Sequence, residues 1–580
     1  MRRALSVLAF APFVFAACTP AKSAATSDTA TTARQASASA KPPRLPTTAV
    51  ADSAMVVSAS PYATRAGLEV LQSGGNAVDA AIAVALALAV TYPAAGNIGG
   101  GGFMVARING KTVALDFRET APRRATRDMY LDSTGNVTDR SLTGALAAGV
   151  PGSVAGLFEA HKKFGSMPWA ELVRPAMELA AKGFAIDTAF SDDDEDGAKR
   201  LALDSTSAAL FLRGGKFVPV GTLWKAPGLA AALKRIADRG RDGFYRGETA
   251  DMIVASMKGH GGIISKADLA GYQAIWRAPI EFDYRGHHVI SMPPVSSGGL
   301  TLALILGILE GRDVGALGWR SAASIHLLAE AERRAFARRN SVLGDPAFVK
   351  IPLASFLSKD TATALRAEIG DRSSGNANTA AAKEPRHTTH FSVVDAHGNA
   401  VSITTTLNES YGSAFTVAGA EFLLNDEMDD FTAKVGAVNA MGLVQGATNA
   451  IEPGKRMLSS MTPTIVLDAA GAIELVTGAA GGAYIITAVA HQIVSLIDYG
   501  RTLAESMGAP QFHHQDVPDS LVVERGVPWA DSVAAMLRPL GHAVKPSPWG
   551  SLANVQSIHR EAGKWSGVTE PRGFGLAKGY

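Results

Sequence analysis

Residues 388–408 constrain the fold more than any other stretch. Thr388-Thr389-His390-Phe391-Ser392-Val393-Val394 and Ala400-Val401-Ser402-Ile403-Thr404-Thr405-Thr406 are two β-prone runs flanking Asp395-Ala396-His397-Gly398-Asn399. Such runs around a short loop ending in glycine read as an antiparallel hairpin with Gly398 in a left-handed conformation. Pairing Asp395 with Asn399 sets Thr388 opposite Thr406, with Cβ atoms ~5 Å apart, and Asn408 diagonal to Thr388 on the same face. Spacing alone gathers two hydroxyls and an amide at the start of a strand. On the hairpin alone they are ordinary strand threonines on a surface. Residues 370–384 before it are polar and featureless, and about 140–370 reads as mostly helical, with a strand at Tyr284–Ser291.

Globular texture begins near Val50. Ser60-Pro61 starts a helix that runs to Leu71 and stops at Gly74-Gly75, and Asn76 caps a second helix over Ala77 to about Thr91. The second helix is apolar nearly all round, so it is expected inside. Gly96-Asn97-Ile98-Gly99-Gly100-Gly101-Gly102-Phe103 allows close backbone contact, but no Gly-Lys-Ser/Thr follows, which excludes a phosphate loop. Strands are expected at Phe103–Arg107 and Thr112–Phe117. No Gly-x-Ser-x-Gly elbow appears, which counts against an α/β-hydrolase. Glycine makes up 59 of 580 residues, above the usual ~7%, and favours tight turns over a helical bundle.

Lysine and arginine total 55 against 53 aspartates and glutamates, and no basic run occurs, so no nucleic-acid partner is expected. Cys18 is the single cysteine, which excludes a disulfide framework and a cysteine-built metal site. The histidines at 387 and 390 and the pairs His287-His288 and His513-His514 have no carboxylate at ligand spacing. No metal and no cofactor is expected. Residues 1–17 read as an export signal: Arg2 and Arg3, then an apolar stretch from Ala4 to Ala17, short of the ~20 residues a membrane span needs. Phe15-Ala16-Ala17 before Cys18 reads either as a bacterial lipoprotein cleavage box that lipidates Cys18 or as an ordinary small-residue cleavage site. Residues 18–48, rich in Ala, Ser, Thr and Pro, read as a flexible tether. The expected place is the periplasm, with a lipid anchor at Cys18 under the first reading.

Further motifs accompany the hairpin. Downstream come Asn425-Asp426-Glu427-Met428-Asp429-Asp430-Phe431, Lys455-Arg456-Met457-Leu458-Ser459-Ser460-Met461-Thr462-Pro463-Thr464 and Thr477-Gly478-Ala479-Ala480-Gly481-Gly482. Upstream are Gly74-Gly75-Asn76-Ala77-Val78-Asp79-Ala80-Ala81, the glycine run, Asp116-Phe117-Arg118-Glu119, and Ser291-Met292-Pro293-Pro294 leading to Ser296-Ser297-Gly298-Gly299. In this order the chain resembles the γ-glutamyltranspeptidase family from about residue 50 to 580. The resemblance implies an α+β fold, the four-layer αββα sandwich of N-terminal-nucleophile hydrolases. It also implies a proenzyme that cuts itself between His387 and Thr388 into a large subunit, 49–387, and a small catalytic subunit, 388–580.

The chemistry explains why a threonine must become N-terminal. Its hydroxyl needs an adjacent base, and a free α-amine with pKa near ~7.7–8.0 can serve, whereas the uncut amide cannot. The resemblance implies that Thr388 is the nucleophile, Thr406 orients it, and the Gly481 and Gly482 N–H groups hold the oxyanion. The donor's α-carboxylate falls to Arg118, Ser459 and Ser460, and its α-ammonium to Asn408, Glu427 and Asp430. Glu427 and Asp430 are three apart, so one helical turn aims both at one point. The implied substrates are glutathione-like γ-glutamyl compounds, with water or an amino acid or peptide as acceptor. A related acylase acting on glutaryl β-lactams or poly-γ-glutamate, and an unprocessed surface binding protein, are the alternatives. Two departures stand out: Met441 where relatives often carry tyrosine over the donor pocket, and Ala479-Ala480 where they often carry Ser-Pro.

Overall fold

The computed structural model describes residues 47–191, 195–375, 388–548 and 550–580. The export signal, Cys18, nearly all of the tether and His387 lie outside the described residues. Two antiparallel sheets stack face to face. One runs in the order Leu576–Gly579, Met55–Ser58, Thr388–Val394, Ala400–Thr406, Gly101–Ile108, Lys111–Asp116, Ile275–Arg277. The other runs Thr48–Ala51, Lys564–Thr569, Asn554–Glu561, Ile473–Thr477, Thr464–Leu467, His287–Ser291, Ile280–Tyr284, with Ala479–Ala480 also paired to Asn554–Glu561. Helices Pro61–Gln72 and Ala77–Thr91 cover the outer face of the first sheet, and Gly298–Glu310 and Tyr484–Ile497 that of the second. This is the αββα order. Each sheet mixes strands from before and after residue 388.

The hairpin has the expected register, Thr388 opposite Thr406 through Val394 opposite Ala400, with Gly398 at φ 77°. Alternation decides which face goes where. Phe391, Val393, Val401 and Ile403 pack toward the helices. The opposite face carries His390, Ser392, Ser402 and Thr404 into the space between the sheets. There Ser392 Oγ donates to Gln556 O and Ser402 Oγ to Thr477 O, at 2.9 and 2.8 Å. Small hydroxyls let the sheets approach while satisfying the backbone of the facing strands. Burial holds the His390 imidazole neutral, its pKa pushed down to about 3.

Asn76 Oδ1 caps Ala77–Thr91 by accepting from Val78 and Asp79 N–H, and Asn76 N–H in turn donates to Asp79 Oδ2. All 15 residues of that helix are buried, as its composition requires. Asp395, in the hairpin loop, accepts from Ala77 N at 2.9 Å and fixes the loop to the helix start. One expectation needs correction. Tyr284–Ser291 is not one strand: Ile280–Tyr284 and His287–Ser291 form a hairpin turning at Arg285-Gly286, with φ 53° and 84°. An arginine in a left-handed turn position carries no sequence signal.

Candidate active site

The strand pairing brings Thr388 Oγ within 3.4 Å of Thr406 Oγ, the first donating to the second. Thr406 Oγ also accepts from Asn408 N at 2.8 Å. Asn408, at φ 83°, turns the chain out of the strand and donates Nδ2 to Asp426 O at 3.1 Å. The glycine run lies against this strand: a Cβ at Gly100 would collide with Thr406 O, and one at Gly102 with Thr404 O. Close backbone contact with the hairpin is therefore what those glycines permit.

Beyond Asn408, Glu427–Asp430 forms one tight 3-10 turn, and both of its ends meet Arg118. Arg118 Nη1 lies 2.5 Å from Glu427 Oε2, and Nη2 bonds Asp430 Oδ2. Arg118 is 1% exposed. Burial opposes its charge, but Glu427, Asp430 and Glu119 together hold its pKa above the ordinary value. Burial likewise pushes Glu427 well above the usual carboxylate range, and Arg118 draws it back. Glu119, 3.7 Å from Arg118, is pushed up to about 8 by the same burial. The residues read separately as carboxylate and ammonium partners are thus each other's partners.

Ser459 and Ser460 complete the wall. Ser459 Oγ accepts from Met461 N at 3.2 Å, and Ser460 Oγ from Arg339 Nη2 at 3.0 Å. Gly481 and Gly482 have φ 135° and 57°, just before helix Tyr484–Ile497. A Cβ on Gly481 would stand 2.7 Å from Leu552 O, and one on Gly482 2.9 Å from Met441 Sδ. Among the described residues neither glycine N–H donates a hydrogen bond. Gly482 lines the same pocket as Thr388, Thr406, Asn408, Arg118, Glu427, Asp430, Ser459 and Ser460; Gly481 instead lines an adjoining cavity that also reaches Thr388. Met441 lines the same pocket.

Sequence reasoning missed three groups. Arg339 is buried on helix Ala322–Val342, within the stretch expected only to be mostly helical. Gln515 donates to Gly442 O beside Met441 at 3.1 Å. Asp429 points away from Arg118: Ser141 Oγ and Ala440 N donate to its two oxygens, at 2.7 and 2.8 Å. Only the crowding of acids in 426–430 hints at a special role for Asp429.

Burial pushes the Asp429 carboxyl up to about 7 against these bonds, with Asp430 and Glu409 adding to the shift. Because the folded chain holds this proton more tightly than the unfolded chain, the associated stability is full below about pH 4 and lost as pH rises through 7. The thermal midpoint of Asp429→Asn, relative to wild type, should therefore rise between pH 4 and 8. A gap that stays flat across that range would mean Asp429 ionises normally in the fold.

The model of the family described as gamma-glutamyltranspeptidase matches residues 63–580. A glutathione hydrolase proenzyme from Pseudomonas sp. (strain A14) is 49% identical over 481 residues, 82% of this chain and 84% of that protein. A glutathione hydrolase proenzyme from Escherichia coli (strain K12) is 45% identical over 536 residues, 91% of this chain and 92% of that protein. Among solved structures, cephalosporin acylase from Bacillus halodurans superposes with TM-score 0.81 at 26% identity, covering 94% of this chain and 99% of that one. No helix among the described residues is long and apolar enough to cross a membrane.

Proposed function

The chain belongs to the γ-glutamyltranspeptidase family, and on that premise we propose that it is a γ-glutamyl hydrolase/transpeptidase, made as a proenzyme and activated by self-cleavage before Thr388. The observation that carries this reading is the buried Arg118–Glu427–Asp430 cluster, in one pocket with the Thr388–Thr406 pair. A γ-glutamyl donor brings one ammonium and one carboxylate. Its carboxylate takes up the Arg118 fork with Ser459 and Ser460, while its ammonium replaces Arg118 as partner of Glu427 and Asp430, aided by Asn408. Exchanging one set of ion pairs for another leaves no buried charge alone.

Once cleavage frees the Thr388 amine, that amine takes the hydroxyl proton and Oγ attacks the γ-carbonyl. Gly481 and Gly482 N–H groups stabilise the oxyanion, and the leaving amine departs with the proton. The γ-glutamyl-threonine ester then passes its acyl group to water or to the amine of an amino acid or peptide. A γ-glutamyl anilide assayed with and without a dipeptide acceptor, beside a denaturing gel, tests this; a chain that stays whole on the gel and silent in the assay overturns it in favour of a binding protein. Residues 49–387 and 388–580 are the two subunits on this reading, exported and held at the membrane through Cys18.

The likeness to an acylase supports a second reading, a glutaryl-type acylase. A glutaryl group has no α-amine to take the place of Arg118 beside Glu427 and Asp430 once its carboxylate occupies the Arg118 fork, so the γ-glutamyl reading is favoured.

Thr406→Ala should fold but mature slowly. Thr406 Oγ receives both the Thr388 hydroxyl and the Asn408 amide, so its loss frees the attacking group to rotate. A time course of band appearance that matches wild type would leave that hydroxyl without an orienting role.

A further inference from the structure

Arg339 stands apart from every other charged group at this site. It is 1% exposed, and its hydrogen-bond partners are all neutral. Nε donates to Ser297 Oγ at 2.9 Å, Nη1 to Asn340 Oδ1 at 2.7 Å and Gln445 Oε1 at 3.5 Å, and Nη2 to Ser460 Oγ at 3.0 Å. Among the described residues no carboxylate makes an ion pair with it. Asp430 is near enough to act on its charge but is bonded to Arg118. Burial pushes its pKa down to about 10, as expected of a guanidinium without a counter-charge. Fully buried arginines are normally paired. This one lines the donor pocket instead.

Two consequences converge on the pocket. The first concerns proton direction. A guanidinium only donates, so Ser460 Oγ is an acceptor toward Arg339 and its own proton is left to point elsewhere. Ser297 shows the same polarity: it accepts from Arg339 Nε and donates onward to Ser459 O at 2.6 Å. The second is charge. Glu427, Asp430 and Glu119 all face the single guanidinium of Arg118, so carboxyl groups outnumber positive groups there, and Arg339 adds a second positive charge. Without Arg339 that excess of carboxyl groups weighs against the entry of a substrate carboxylate.

We propose that Arg339 is a specificity-determining positioning residue: from behind Ser460 it turns that hydroxyl into a donor for the substrate's α-carboxylate and supplies the second positive charge the carboxylate needs. This rests on the γ-glutamyl reading above. It assigns Arg339 chiefly to the carboxylate half of recognition, since its hydrogen bond runs to Ser460 and none runs to Glu427 or Asp430.

Two analogues separate the halves: 4-aminobutyryl anilide lacks only the carboxylate, and glutaryl anilide lacks only the ammonium. In Arg339→Gln, the kcat/KM preference for γ-glutamyl over 4-aminobutyryl anilide should fall by about 10–10²-fold, the range of one charge-assisted contact. The preference over glutaryl anilide should stay within a few-fold of wild type. Arg339→Lys keeps the charge and should recover much of the lost preference. Ser460→Ala should reproduce the glutamine variant's effect, and the double variant should lose less than the sum of the two. Processing on a gel reports whether each variant has folded; if Arg339→Gln does not mature, the lysine and Ser460 variants decide. An unchanged preference in Arg339→Gln, or a lysine variant no better than glutamine, overturns the proposal. Failure of the underlying reading looks different: wild type itself would show no preference for the γ-glutamyl compound.

Discussion

Thr388→Ala should yield a single full-length chain with no measurable turnover. One hydroxyl is asked to attack twice, first the carbonyl before it in its own chain and later the γ-carbonyl of a donor. Removing it therefore blocks maturation and chemistry together. Without self-cleavage the α-nitrogen also stays an amide, so base and nucleophile vanish in one substitution. The fold should survive, because alanine fits the buried strand position and the remaining hairpin pairs are untouched. Thr388→Ser, which keeps the hydroxyl, should still process. Normal two-band processing of the alanine variant would move the nucleophile elsewhere.

Asp430→Ala should cut kcat/KM on a γ-glutamyl donor by on the order of 10²–10³-fold. Removing one member of a buried charged pair typically costs about 3–5 kcal/mol, and each 1.36 kcal/mol is tenfold in rate. Here the substitution acts twice: Arg118 loses a partner in the empty pocket, and the donor ammonium loses one in the complex. Self-cleavage should be largely spared, since no donor is bound during it. Glutaryl anilide makes the comparison decisive. Wild type should strongly prefer the γ-glutamyl compound, and the variant should lose most of that preference. Equal wild-type rates on the two would sink the γ-glutamyl assignment and promote the acylase.

The hairpin was legible because three local signals agree: β-branched runs, a glycine at the turn, and a period of two that fixes the face of every side chain. The buried helix Ala77–Thr91 was legible for a similar reason, since its cap and all-round apolar surface point the same way. What stayed hidden depends on partners distant in sequence. That Arg118 is held by Glu427 and Asp430 is a contact across more than 300 positions. Arg339 was hidden because burial of its helix comes from what packs on it rather than from its own apolar stripe. The turn at Arg285 was missed because arginine carries no preference for that backbone.

The placement of Thr388–Val394 between Met55–Ser58 and Ala400–Thr406 has a consequence for the lifetime of the processed protein. While the chain is whole, these strands find each other as parts of one molecule, at the modest entropic cost of closing a loop. After the cut, the same pairing would have to be rebuilt by two separate chains meeting in solution, neither of which owns a complete sheet. The working enzyme thus occupies a fold that only its uncut parent assembles easily. Its endurance is governed by how slowly it comes apart, not by how readily it returns.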